Sequence, residues 1–374
     1  MKVVSFFSGA GGLDLGFEAA CGQNIFSSDI LPEATDTIRR YWADSVVFGP
    51  PGQSGDVTDL TRGLVKDFVG DTDIDVMIGG PPCQSFSVAA AQRYLAGDDR
   101  FKRIGFKAED KGRLVFEYAR LIRSLRPKAF LIENVPGILT IDGGSGISEV
   151  YQYLEASGYS ISTPTVVNAA DYGVPQFRKR AFVIGNRLGK DFEFPAPTHS
   201  KAPSLFALRH ISVAQALGDI PTDAANNEKR NHAPESVARY EQVAIGGRES
   251  RGRVDRLDPR APSKTIIAGG SKGGGRSHLH PFEVRTLSVR ECARLQTFPD
   301  EMEFAGSTAR QFTLVGNAVP PLLAEVIARE IAAQFFDVSL TGPFKHSVPY
   351  IDLEGAVQAL FAQAVESGRP LYRQ

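Results

Sequence analysis

One short stretch constrains this chain more than any other: Asp75-Val-Met-Ile-Gly-Gly-Pro-Pro-Cys-Gln-Ser-Phe-Ser, ending at Ser87. Val76, Met77 and Ile78 read as a buried strand. Two glycines break it, two prolines stiffen its exit, and Cys83 stands at the lip of the loop. In an open α/β sheet, ligands bind just beyond the carboxyl ends of strands, so a thiol there is presented to a substrate. A free thiol more often ends as a buried structural residue. Pro-Pro-Cys-Gln-Ser is too polar and too turn-forming for that fate.

The chain has 374 residues, 42% hydrophobic and 23% charged, enough for one large domain and a smaller one. Its three cysteines, Cys21, Cys83 and Cys292, lie too far apart for a disulfide framework or a zinc site. That favours a reducing, intracellular setting. No apolar segment follows Met1 as in a signal peptide, and no run of about 18 apolar residues suggests a membrane span. The net charge of -1 gives no global pull toward nucleic acid, although a local basic surface remains possible to build.

In chain order, Lys2 to Phe7 reads as a first strand that runs into Ser8-Gly-Ala-Gly-Gly-Leu-Asp and then a helix. This is a strand–glycine-loop–helix nucleotide site in which Gly9, Gly11 and Gly12 allow a tight turn and close approach to a ligand. It is not the dinucleotide fingerprint, because Asp14 occupies the place of the final glycine. A second strand ends at Asp29, where a carboxylate suits the two hydroxyls of a ribose. Ile30 is placed for an adenine face and Asp56 for an adenine amino group. A long polar loop spans 88–112, a length typical of lids and binding elements. A helix over Leu114–Leu125 precedes the strand Ala129–Glu133, which delivers Glu133 to a strand end.

Arg178 and Arg180 alternate as the chain enters another strand, and fixed guanidiniums can hold a base carbonyl or a phosphate. Composition then changes over 187–284, where long apolar runs are missing. Between Arg239 and Arg276, nine Lys/Arg stand against four Asp/Glu among repeated glycines. Such a surface suits nucleic-acid phosphates, with Arg248, Arg251 and Arg253 as the candidates. The core pattern returns at Arg285, where Cys292, Ala293 and Leu295 read as a packed helix face. A further apolar helix covers Leu322–Phe336. Residues 337–374 add a tail with one amphipathic helix, Leu353–Val365, and no functional reading.

Taken in this order, the blocks resemble the DNA (cytosine-5) methyltransferase family of bacterial restriction-modification systems. The resemblance rests on Phe-Ser-Gly-Ala-Gly-Gly-Leu (7–13), Gly-Gly-Pro-Pro-Cys-Gln-Ser-Phe-Ser (79–87), Glu-Asn-Val (133–135), Gln-Phe-Arg-Lys-Arg (176–180), Arg-Glu-Cys-Ala-Arg-Leu-Gln-Thr-Phe-Pro (290–299) and Gly-Asn-Ala-Val-Pro-Pro (316–321). It covers about 1–186 and 285–336. The fold it implies is α/β: a Rossmann-like, S-adenosylmethionine-dependent methyltransferase sheet with a smaller inserted target-recognition domain. The catalytic domain would take 1–186, the recognition domain 187–284, the return segment 285–336, and a C-terminal extension 337–374.

The resemblance assigns roles residue by residue. Phe7, Ser8, Gly9, Ala10, Gly11, Gly12, Leu13, Asp29, Ile30, Asp56, Val57, Pro82 and Leu114 would line the S-adenosylmethionine pocket, closed by Asn317 and Val319, and S-adenosylhomocysteine would leave it. Cys83 matches the nucleophile that adds to cytosine C6, Glu133 the carboxyl group facing the base, and Arg180, with Arg178 supporting, the arginines at its carbonyl. Gln84, Ser85 and Ser87 would fill the gap left by a base flipped out of duplex DNA. A monomeric cytoplasmic enzyme is expected, with no metal and no membrane, and with a separate cognate restriction endonuclease as a partner the resemblance allows. Two departures bear on lid closure: the longer 88–112 loop, and Lys111-Gly-Arg-Leu where Arg-Gly-x-Leu is more usual. The alternatives are the tRNA-methylating branch, a non-catalytic DNA-binding relative, and a nicotinamide-dependent oxidoreductase. The first lacks support from Ser85-Phe-Ser87, the second from the intact Cys83, Glu133 and arginines, and the third leaves Pro-Pro-Cys-Gln unexplained.

Overall fold

The computed structural model describes residues 1–82, 113–221, 223–249, 254–268, 278–349 and 351–372. An eight-stranded sheet forms its centre. β1 (Lys2–Phe6), β2 (Gln23–Ser28), β3 (Val47–Phe48), β4 (Val76–Gly79) and β5 (Ala129–Asn134) run parallel. β6 (Ser160–Ile161) and β7 (Thr165–Asn168) both pair with the outer edge of β8 (Lys179–Asn186), which lies antiparallel to β5. The spatial order is β3-β2-β1-β4-β5-β8-β6. The chain steps outward from β1 to β3, returns to β4 and continues the other way. The order therefore reverses between β1 and β4, the switch point at which such sheets bind ligands. β9 (His199–Ser200) and β10 (Leu208–Arg209) form a separate two-stranded sheet.

The helices are α1 (Gly12–Ala19), α2 (Pro32–Tyr41), α3 (Arg62–Val69), α4 (Arg113–Leu125), α5 (Ser145–Glu155), α6 (Val213–Leu217), α7 (Pro234–Glu241), α8 (Val289–Leu295), α9 (Thr308–Asn317), α10 (Pro321–Phe336) and α11 (Leu353–Glu366). Every residue of β4 and β5 is buried, as strands covered on both faces must be. Alternation then sorts the side chains. Val3, Ile78, Leu131 and Phe182 pack with α1 and α10, while Val4, Met77, Phe130 and Val183 pack with α4 and α5. Glycine makes the first of these layers unusually tight. A Cβ at Gly12 would lie 2.1 Å from the Val319 carbonyl oxygen, and one at Gly16 would lie 2.4 Å from the backbone of Glu325. Gly12, read from sequence as a ligand-approach glycine, thus serves close packing of α1 on the segment that opens α10.

A third core crosses the composition break at 187. Val213, Ala214, Ala216 and Leu217 of α6 pack with α8 and α9 and with Ala356, Val357 and Leu360 of α11. The start of the 187–284 stretch and the C-terminal extension therefore share one core with the return segment. A five-residue helix, closed by a Ser212–Gln215 capping box, carries too short a period to be read from sequence. The stretch Thr308–Phe336 is long and apolar enough by length and composition alone to cross a membrane, but 83% of its apolar window is buried inside the protein. It is two core helices that break at Ala318-Val-Pro.

Candidate active site

The loop after β1 turns sharply. Gly9 and Gly11 take positive φ of 55° and 74°, and Phe7, at 54°, does so without the freedom of glycine. The Gly9 amide donates to Asp29 Oδ2 at 2.8 Å and the Leu31 amide to Asp29 Oδ1 at 2.9 Å. Asp29 is buried, and desolvation pushes its pKa up against the pull of these amides. A carboxylate offers about four acceptor directions, so Asp29 has one left for a ribose hydroxyl beyond the Gly9, Ile30 and Leu31 amides. Beside it Ile30 is 56% exposed, an apolar side chain held in the open at a strand end. A Cβ at Gly55 would lie 2.1 Å from the Asp29 carbonyl oxygen, so the next turn is pressed against the same place. There Asp56 Oδ1 accepts from the Thr58 amide and hydroxyl, and Val57 is buried beneath. A buried carboxylate, an exposed aliphatic face and a second acidic turn fit a ribose and an adenine.

Other cofactor candidates fall around this loop in different ways. Ala10 and Leu13 are buried and pack into two separate cores. Leu114 and Phe7 pack at the edge of the second layer, and Pro82 is exposed. Val319 is buried with its carbonyl over Gly12, whereas Asn317 stands exposed at the end of α9. Beneath the loop lies a group the sequence reading passed over. Asp14 is fully buried, accepts from Ser5 Oγ at 3.1 Å and Ser27 Oγ at 3.2 Å, and is bonded to Asn24. Burial pushes its pKa up to about 6.

Across the switch point, Glu133 is the penultimate residue of β5 and is only 8% exposed. Its Oε1 meets Arg180 Nε at 2.8 Å. Burial drives the Glu133 pKa upward and outweighs the opposing pull of Arg180 and Arg178. Two adjacent glycines make room for this arrangement. A Cβ at Gly79 would strike the Tyr118 ring at 2.7 Å, and one at Gly80 would lie 2.9 Å from Glu133 Oε2. Asn134 then donates from Nδ2 to the Pro81 carbonyl at 3.1 Å, tying the Pro-Pro stem to the end of β5. This tether was not assigned from sequence, although Asn134 sat within a quoted motif. Cys83, Gln84, Ser85 and Ser87 follow the stem and lie outside the described residues.

The two arginines part company. Alternation puts both on one face as the chain enters β8, but Arg178, just before the strand, is fully buried. Its guanidinium donates to the carbonyls of Gly316 and Asn317 at 3.0 and 3.2 Å and of Ile266 at 3.4 Å. It clamps the end of α9 to the inserted segment, and its charge also acts on Glu133. Gln176 extends the clamp: it accepts from the Ile266 amide at 2.9 Å and donates to Gln296 Oε1 at 3.0 Å. A buried polar ladder thus joins three motifs that sequence reading had treated separately.

The basic stretch is also less free than its charge suggests. Arg239 pairs with Glu249, Lys264 with Asp255 and Arg260 with Glu354, while Arg256 is buried among carbonyls. Arg248 is half-exposed and lies 3.8 Å from Asp255. Arg251 and Arg253 lie outside the described residues.

A parallel sheet with an antiparallel β8, a glycine loop and acidic strand end at its switch point, and a carboxyl–arginine pair beside it define an S-adenosylmethionine-dependent methyltransferase fold. The chain belongs to the C-5 cytosine-specific DNA methylase family, whose model matches residues 1–333. It is 34% identical over 352 residues to the Type II methyltransferase M.NgoFVII of Neisseria gonorrhoeae, covering 90% of this chain and 87% of that one. It is 34% identical over 355 residues to the Type II methyltransferase M.MthTI of Methanothermobacter thermautotrophicus, covering 88% and 97%. A crystal structure of an E. coli prophage-encoded protein, described as a DNA modification methyltransferase, matches with a TM-score of 0.71 and 25% identity over 90% of this chain and 99% of that one. The S. pombe Dnmt2 methyltransferase shares the fold alone, with a TM-score of 0.60 and 15% identity over 90% and 100%. The chain is thus a DNA cytosine-5 methyltransferase of the restriction-modification type.

Proposed function

We propose that this enzyme methylates C5 of a cytosine flipped out of one specific duplex DNA sequence, through a covalent bond between Cys83 and C6. The observation that carries the reading is the buried Glu133–Arg180 pair at the stem that leads directly to Cys83. Bound S-adenosylmethionine supplies an electrophilic methyl group on its sulfonium. Asp29 and the Gly9–Gly11 turn would hold its ribose and methionine ends, and Ile30 its adenine. Cytosine C5 is a poor nucleophile on its own. The Cys83 thiolate, the competent form of the thiol, adds to C6 and gives C5 enamine character, so that C5 could take the sulfonium methyl group, with S-adenosylhomocysteine as the leaving group. Glu133, its pKa raised by burial, shares a proton with N3 as electron density builds on the ring. Arg180 neutralises charge at the base carbonyl. Loss of the C5 proton to water and expulsion of Cys83 restore the aromatic ring.

The biological reading follows from the relatives named as Type II methyltransferases. A monomeric cytoplasmic enzyme marks host DNA against a separate endonuclease that cuts the same unmethylated sequence. The test is single-turnover transfer of labelled methyl to mixed-sequence duplex DNA, with bisulfite sequencing and Cys83→Ser alongside. Methyl within one short motif, absent with the variant, supports the proposal. Undiminished transfer by Cys83→Ser would sink the covalent route, and transfer to tRNA alone would replace the substrate.

A further inference from the structure

Among the described residues, the most exposed apolar side chains sit together on one turn. Between β9 and β10, Leu205 is 98% exposed and Phe206 91%. Soluble proteins seldom leave such a pair in water without a partner for it. The turn is built to present them. Ser204 Oγ accepts from the amides of Phe206 and Ala207 at 3.2 Å, and the Ser204 amide donates to the Ala207 carbonyl at 2.8 Å.

Its base is fixed to the active-site edge of the sheet. The Thr198 amide donates to the Asp171 carbonyl at 3.0 Å, His210 Nε2 lies 2.9 Å from Asp171 Oδ1, and the Phe177 ring packs edge-on against His210. Residues 169–178 connect the carboxyl end of β7 to the amino end of β8, above the same edge that carries Glu133 and Arg180. Charge points to the occupant. From Phe194 to Gly218 the sequence has no acidic residue, and Lys201 and Arg209 stand exposed on either side of the tip.

We propose that Leu205 and Phe206 form an apolar wedge that enters a groove of the duplex beside the target cytosine, with Lys201 and Arg209 on the flanking phosphates. Apolar side chains wedged against base steps and cations on phosphates are established ways to grip bent DNA. The inference rests on the DNA reading above and adds a contact outside the catalytic loop and the basic stretch.

The experiment compares the native chain with Leu205→Ser/Phe206→Ser, using the duplex that the native chain methylates and S-adenosylhomocysteine to block turnover. The double variant is expected to bind that duplex about tenfold more weakly, the loss of roughly one stacked or wedged contact, with unchanged S-adenosylhomocysteine affinity. Lys201→Ala/Arg209→Ala should lower the salt dependence of DNA binding by about two counterions. Phe206→Trp should retain affinity, and its added indole emission should change on DNA binding. Equal DNA affinity in the native chain and the serine variant overturns the wedge, as does a native dimer that the variant dissolves without altering DNA affinity. A native chain that methylates no duplex at all overturns the DNA reading together with the wedge.

Discussion

The sheet and the stretch from about 223 to 285 are held together by opposite chemistries. In the sheet, alternating aliphatic and aromatic side chains bury both faces, and Asp29, Glu133 and Arg180 gather at the carboxyl edge. In the other region the apolar cluster is small, centred on Val243, Val254 and Leu279. Its work is done by buried ions. Arg256, 1% exposed, donates to the carbonyls of Tyr240, Val243, His280 and Glu283 and lies over the Tyr372 ring. Arg285 is gripped between Glu283 and Glu291. A loop-rich segment leaves many carbonyls without strand or helix partners, and a guanidinium with five donors can satisfy several at once. The difference implies that one region fails by losing chemistry and the other by losing structure.

The sharpest test of that contrast is Glu133→Gln, which keeps the shape of the side chain but removes its proton and charge. Methyl transfer should fall by about 10²–10⁴-fold, the range for a positioned acid–base group. The urea midpoint and S-adenosylhomocysteine affinity should hold. A variant that instead unfolds would show that Glu133 supports the sheet as Arg256 supports the other region.

Arg256→Met is the counterpart. It removes the donors while keeping much of the aliphatic stem, and takes the guanidinium donor from the buried carbonyls of Val243, His280 and Glu283. With each orphaned group costing about 1–3 kcal/mol and partial relaxation, a loss of roughly 3–5 kcal/mol is expected. Limited proteolysis should then cut between 223 and 285 while the sheet region still binds S-adenosylhomocysteine. A uniform loss of both would mean that the two regions unfold as one cooperative unit.

This contrast also explains what the sequence could convey. The strand ending in Glu133, the strand before Cys83 and the helix over 113–125 were legible because apolar spacing reports burial directly. The order of motifs then placed Asp29, Glu133 and Arg180 at one sheet edge. The full burial of Arg178, which Arg180 does not share, was not legible, because alternation gives the face but not how far the face is covered. The same limit applies to the inserted cations, of which Arg256 is buried and Arg248 is half-exposed. Arg256 and an exposed arginine look identical in a sequence, and only tertiary proximity to carbonyls tells them apart. The tether from Asn134 to Pro81 and the Gln176–Gln296 ladder join residues far apart in the chain, which no local pattern encodes.

Asp14 asks whether a buried ion in the sheet region follows the same logic as those in the other one. Unlike Arg285, it has hydrogen-bond donors but no buried counter-ion. Its pKa is raised from 3.8 to about 6, so the folded state binds its proton more tightly than the unfolded state does. Its stabilising contribution is therefore full below pH 4 and is lost as pH rises through about 6, at most about 3 kcal/mol in all. Asp14→Asn should remove that pH dependence, so the variant gains on the native chain between pH 4 and 6.5. The check is the difference in urea-unfolding free energy at the two ends of that range. A constant difference would mean that the Ser5, Asn24 and Ser27 donors already offset the burial of the charge.

The finest probe is Gly80→Ala, which separates position from chemistry within the active site. The new Cβ would sit 2.9 Å from Glu133 Oε2, a contact that the end of a side chain can relieve by moving. The backbone need not shift, so the urea midpoint should be unchanged. The carboxyl group, however, is displaced by a few tenths of an ångström relative to Arg180 and the Pro-Pro stem. A displacement of that size should slow transfer by about tenfold, short of the hundredfold that a full ångström can cost. If Glu133 acts by its place as well as its proton, Gly80→Ala and Glu133→Gln combined will be no slower than Glu133→Gln alone. Independent, multiplying losses would mean that Gly80 matters for the path of the loop that carries Cys83.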